Sequence, residues 1–252
     1  MSRLAESLQT DGRIRLVPYV MAGFPSARAS IEIGRQYAAL GAGAIEVGIP
    51  FSDPLADGPI IQQAGQQALA EKMTVEGAIE VAAEVATAGV PVVLMTYLNP
   101  LLSFGLAEFS RAAVERGVAG VIIPDLPVHE LDSWQTLREA GLDTIFLAAP
   151  TSSVANIEAV CEESSGFVYC VTLTGVTGAR RELDPGLSGL LGRLRSATPL
   201  PIAAGFGISR PEHLRQLRGQ ADAAVVASAL LAEIIQGRDS RPLLTELIDA
   251  CQ

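Results

Sequence analysis

Glu46 is a lone carboxylate inside an otherwise apolar run, 44–48, and it opens a long loop to Pro59 that carries Asp53 and Asp57 among prolines. A carboxyl group pointing inward from such a run has its proton affinity raised by desolvation, which suits it to give and take protons near neutral pH. A structural ion pair is the alternative reading, although the nearest basic residues lie outside this strand and loop. Asp53 and Asp57 fit either chemistry or turn formation, since short carboxylates bond their own backbone in turns that proline stiffens.

Other catalytic chemistries lack their residues. The chain has 18 basic residues, of which Lys72 alone is lysine, and it falls between helical stretches rather than at a strand end, where a Schiff base would need it. His129 and His213 stand far apart, His213 in a helical segment, so a histidine metal cluster is not expected. Cys161, Cys170 and Cys251 have neither zinc spacing nor the pattern of a disulfide framework. Carboxylates remain for proton transfer. A second signal lies in the last third: Gly175-Val176-Thr177-Gly178, Gly205-Phe206-Gly207-Ile208-Ser209 and Ala227-Ser228 each follow an apolar run. Backbone amides gathered there beside a helix N-terminus would hold a phosphate without any lysine. Glycine in a tight turn needs no ligand, however, so each motif alone is weak.

These residues must be positioned by something regular. Eight short apolar runs (15–21, 44–48, 91–96, 120–124, 144–148, 167–172, 201–204 and 223–226) alternate with helical spacing over 27–40, 74–88, 106–116, 130–140, 156–163, 187–195, 211–217 and 230–236. Runs that are apolar throughout read as strands covered on both faces, as in a parallel sheet. Gly41, Gly89, Gly117, Gly141 and Gly219 sit just past helical stretches, where a left-handed cap is expected. Eight βα units in 252 residues predict an α/β fold, a single (β/α)8 barrel domain spanning 1–252, with a short helix over 4–9 closing its bottom. An open doubly wound sheet is the alternative. Chemistry then belongs to the loops after the strands. A net charge of −10 argues against a nucleic-acid partner. The first residues form no apolar core of signal length and no stretch reaches ~18 uninterrupted apolar residues, so no membrane contact and a reducing cytoplasm are expected.

The string from Glu46 to Pro59 (Glu-Val-Gly-Ile-Pro-Phe-Ser-Asp-Pro-Leu-Ala-Asp-Gly-Pro) resembles the tryptophan synthase α-subunit family. So do Pro18–Pro25, Met95–Pro100, Pro124–Pro127, Thr174–Gly178 and Gly205–Ile208, in the family's order. The resemblance implies a retro-aldol lyase that cleaves indole-3-glycerol phosphate to indole and glyceraldehyde 3-phosphate, without metal. It implies a partner β subunit, in an α2β2 heterotetramer, that carries pyridoxal phosphate and consumes the indole; this chain itself would hold no cofactor. Glu46 would be the general acid/base and Asp57 the acceptor for the indole N–H. Phe24, Tyr97, Leu147, Tyr169 and Thr177 would bind substrate, with core packing a serious alternative for Phe24, Tyr97 and Leu147. Gly178, Phe206, Gly207, Ala227 and Ser228 would cradle phosphate, and Pro50 and Asp53 would touch the partner. Ala227 stands where the family usually has glycine. A lyase releasing free indole and a non-catalytic activating subunit share the same scaffold.

Overall fold

Side chains alternate in and out along every strand, and that alternation separates two cores. In β1 (Arg15–Met21), Val17, Tyr19 and Met21 join one buried cluster while Leu16 and Val20 join another. The same parity repeats in β2 (Ile45–Gly48), β3 (Val92–Met95), β4 (Gly120–Ile122), β5 (Asp143–Ile145), β6 (Leu147–Ala148), β7 (Val168–Val171), β8 (Ile202–Gly205) and β9 (Ala223–Val226). One cluster fills the inside of a ring of strands; the larger one lies between the strands and the helices outside them. This computed structural model describes residues 1–9, 12–171, 186–205 and 207–251.

All pairings are parallel, in the order β5-β4-β3-β2-β1-β9-β8-β7-β6. The two ends of that list are one barrel strand interrupted at Phe146: its first half pairs with β4 and its second half with β7. The Tyr169 N–H donates to the Phe146 carbonyl at 3.0 Å, carrying the ladder across the break. The sheet is therefore a (β/α)8 barrel, not an open sheet, and the expected run 144–148 is one strand that changes neighbours midway.

The helices are α1 (Arg3–Leu8), α2 (Ala27–Ala39), α3 (Pro59–Ala70), α4 (Val75–Ala86), α5 (Leu98–Phe104), α6 (Leu106–Glu115), α7 (Leu131–Ala140), α8 (Val154–Glu163), α9 (Leu187–Ala197), α10 (Pro211–Leu217), α11 (Ser228–Ile235) and α12 (Arg241–Ala250). Three of them, α3, α5 and α12, exceed the eight expected segments. α12 carries a clear apolar stripe, Leu243, Leu244, Leu247 and Ile248, that the expected segments leave out, whereas α3 is announced only by Gly58 at its cap and Pro59 in its first turn. Leu4 and Leu8 of α1 are fully buried in the inner cluster and plug the barrel's N-terminal end. Gly41, Gly89, Gly117, Gly141 and Gly219 all have positive φ, as expected of helix-ending glycines. No helix among the described residues is long and apolar enough to cross a membrane.

Candidate active site

Glu46 lies at the middle of β2, in register with Tyr19 of β1 on one side and Val93 of β3 on the other. Its neighbours Ile45 and Val47 face the helices, so the parity of the strand turns Glu46 inward, where it is 2% exposed. Among the described residues no ion pair includes Glu46, and its Oε2 has no hydrogen-bond partner. The ion-pair reading therefore finds no support there. Burial pushes the carboxyl up to about 8, and the Asp57 carboxylate adds to the shift.

Asp57 arrives from the loop after β2. Leu55 N–H donates to Asp53 O at 3.0 Å and Asp57 N–H to Pro54 O at 3.1 Å, so the loop folds back before α3 begins. The Gln62 side chain, one turn into α3, donates to the Asp57 carbonyl at 2.9 Å. Tyr97, just past β3, fastens the loop from the other side: its hydroxyl accepts the Ala56 N–H at 3.0 Å and donates to the Asp57 carboxylate. The Tyr97 ring packs against Phe51 with centroids 5.4 Å apart. Burial raises Asp57 to about 6, and the Tyr97 hydrogen bond works against that rise. Asp57 thus has a chemical environment of its own, while Asp53 is an exposed turn residue that accepts from Ser52.

Glu46 and Asp57 share a cavity of about 400 Å3, counting the part open to solvent. Its wall is completed by Tyr19, Ile61, Met95, Tyr169, Gly207, Val225, Ala227 and Ser228. Of the expected site residues the structure brings together Glu46, Asp57, Tyr169, Gly207, Ala227 and Ser228. Gly207 has φ of 83°, a backbone that requires glycine, and Ala227 caps α11 with no side chain bonding its first amides. Phe24 and Leu147 are not part of this wall: Phe24 is 2% exposed in the inner core, and Leu147 sits half-buried beside Tyr169 in register. Tyr97 reaches the site through Asp57 and not as wall. Pro50 is buried in its own subunit. Thr177, Gly178 and Phe206 lie outside the described residues.

Sequence reasoning missed Tyr19, Ile61, Met95 and Val225. Tyr19 carried a usable signal, because the parity that turns Val17 inward also turns the tyrosine inward beside Glu46. The residues set aside sit elsewhere. Lys72 is exposed and left-handed (φ 62°), His129 is exposed, and His213 is buried in α10 with its Nδ1 accepting the Ser209 N–H at 3.3 Å. Cys161, Cys170 and Cys251 are buried free thiols.

Residues 5–252 match the family model described as "Tryptophan synthase alpha chain". The tryptophan synthase alpha chain of Roseiflexus sp. (strain RS-1) is 46% identical over 242 residues, covering 94% of this chain and 93% of that protein. That of Solibacter usitatus (strain Ellin6076) is 42% identical, covering 98% and 93%. Among solved structures, tryptophan synthase from Mycobacterium tuberculosis superimposes with a TM-score of 0.92 at 34% identity, covering 99% of this chain and 98% of that one. Tryptophan synthase subunit alpha from Legionella pneumophila str. Paris gives 0.89 at 31%, covering 100% and 98%. With this barrel and this pair of carboxylates in place, the chain belongs to the tryptophan synthase alpha chain family.

Proposed function

We propose that Glu46 and Asp57 together carry out the family's reaction, the cleavage of indole-3-glycerol phosphate to indole and glyceraldehyde 3-phosphate, making the protein a carbon–carbon lyase of tryptophan biosynthesis. The observation that carries this is the pair itself: two carboxyls facing one cavity, with proton affinities displaced to about 8 and about 6. At neutral pH Glu46 holds a proton and Asp57 is ionised, which divides the acid from the electrostatic partner. The protonated Glu46 delivers its proton to indole C3. The resulting carboxylate takes the proton of the side-chain hydroxyl as the bond from C3 to the glycerol carbon breaks, which leaves the aldehyde and returns Glu46 to its starting form. Asp57 accepts the indole N–H while positive charge develops on the ring. Proton balance closes within one residue, so neither lysine nor metal enters.

Substrate is held by Tyr169 and, on this reading, by Phe24, Tyr97, Leu147 and Thr177, with the phosphate on the amides of Gly178, Phe206, Gly207, Ala227 and Ser228. The α11 N-terminus adds its free N–H groups and dipole. The chain acts as one domain in a reducing cytoplasm, where its thiols stay free. It holds no cofactor itself; pyridoxal phosphate belongs to the β subunit with which it forms an α2β2 assembly. What supports a partner on the catalytic face is apolar exposure. Of the five exposed large apolar side chains among the described residues, Leu55, Leu102, Leu131 and Val154 all lie in segments that follow consecutive barrel strands, two to five. Exposed Asp53 sits beside Leu55, whereas Pro50 contributes by stiffening that loop. Indole release by the purified chain, measured alone and with a cognate β subunit, tests the reading. Cleavage that rises with β, and loses the rise in Leu55→Asp, is expected; absence of indole under both conditions overturns it.

A further inference from the structure

Tyr19 is a polar group of the cavity wall to which neither the carboxylate chemistry nor substrate binding gives a role, and its placement is specific. It is in register with Glu46, and its ring climbs one layer along the barrel to the level of Met21 and Gly48, which are themselves register partners. A Cβ at Gly48 would lie 1.7 Å from the Tyr19 hydroxyl oxygen. The hydroxyl therefore occupies the place of the missing β2 side chain, the next inward position beyond Glu46. There it is 3% exposed, and its hydrogen bond goes to Met21 Sδ at 3.8 Å. A thioether is a weak acceptor, so a buried phenol resting on one is poorly satisfied, and phenylalanine would fill the same space without that cost. The titratable groups whose electrostatic field reaches this phenol are Asp57 of the loop after β2, Glu46 of β2, Tyr97 after β3 and Tyr169 of β7. Two of the four are carboxyls, which are far better acceptors than sulfur once ionised.

We propose that Tyr19 is a positioning residue whose hydroxyl rests on Met21 Sδ while Glu46 is protonated and turns to donate to the Glu46 carboxylate once the proton has left. The switch lets Glu46 ionise where it is buried: the hydrogen bond exists only for the charged form, so it lowers the proton affinity that burial raises. It also holds the carboxylate still between its two proton transfers. This inference rests on Glu46 being the acid/base of the reaction.

The test is the pH dependence of kcat for indole formation in Tyr19→Phe and Met21→Leu, with Glu46→Gln as control and melting temperatures confirming that each variant folds. Tyr19→Phe removes the donor, so the alkaline limb, which the loss of the Glu46 proton sets, moves to higher pH by about half a unit or more. Met21→Leu removes the resting acceptor and frees the hydroxyl for the carboxylate, so the limb moves to lower pH. Shifts of opposite sign support the proposal. Superimposable profiles, or shifts of the same sign, overturn it. If Glu46→Gln keeps its turnover, the acid/base reading fails first and takes this inference with it; if Glu46→Gln is inactive while both profiles match the parent, this inference alone fails.

Discussion

Replacing Glu46 by glutamine should stabilise the protein, and by an amount that grows with pH. The unfolded chain releases the Glu46 proton near 4.5, whereas the folded barrel holds it to about 8. Between those values the native state binds a proton that the unfolded state has lost, so stability falls as pH rises through this window. At ~1.4 kcal/mol per pH unit, the penalty reaches about 3 kcal/mol at pH 7 and about 5 kcal/mol above pH 8. These are upper values, because side-chain relaxation and water entry relieve part of the cost of a buried charge. Glutamine is close in shape to the protonated acid and does not titrate, so it escapes the penalty, while Asp57 is common to both proteins and largely cancels. In a chain of this size 1 kcal/mol moves Tm by ~2–4 °C, so Glu46→Gln should melt up to about 6–12 °C above the parent at pH 7 and level with it near pH 4.5. Thermal melts by circular dichroism across pH 4.5–8.5 measure this. A difference that does not change with pH, or a parent more stable at pH 8, would refute the claim that Glu46 is held protonated by burial.

Tyr97→Phe should lower kcat about tenfold at pH 7, since the lost hydrogen bond to a charged group lets the Asp57 proton affinity rise; kcat should recover toward the parent at pH 8.5, as steady-state indole assays can show. Gly48→Ala should lower Tm by several degrees through overpacking against the Tyr19 ring, a cost of ~1–3 kcal/mol, and calorimetry would register it. Ala227→Gly removes a methyl from the cavity wall, and if the proposed phosphate site is right KM for indole-3-glycerol phosphate should fall with kcat little changed.

Legibility in the sequence followed the physics of each element. The barrel was readable because runs buried on both faces are apolar throughout, and because helix ends that need a left-handed residue carry glycine, as at Gly41 and Gly141. Glu46 was readable for the same reason, as a charge inside such a run. The break at Phe146 was not, because a strand that changes pairing partners keeps the same apolar composition. Nor was α3, whose glutamines and small residues blur the boundary between its two faces. The roles of Tyr97 and Tyr19 depend on what each hydroxyl meets across strands: Ala56 and Asp57 for one, the space above Gly48 for the other. Spacing along one chain does not display such contacts, although strand parity would have marked Tyr19 as an inward neighbour of Glu46.

The most direct test of the account is the rate of indole formation from indole-3-glycerol phosphate by Glu46→Gln, with substrate affinity measured in parallel on the same protein. The account predicts that the affinity is retained while the rate falls by ~10^2–10^4, the range expected for loss of a general acid/base. Turnover within about tenfold of the parent, with the parent's pH profile, would contradict it.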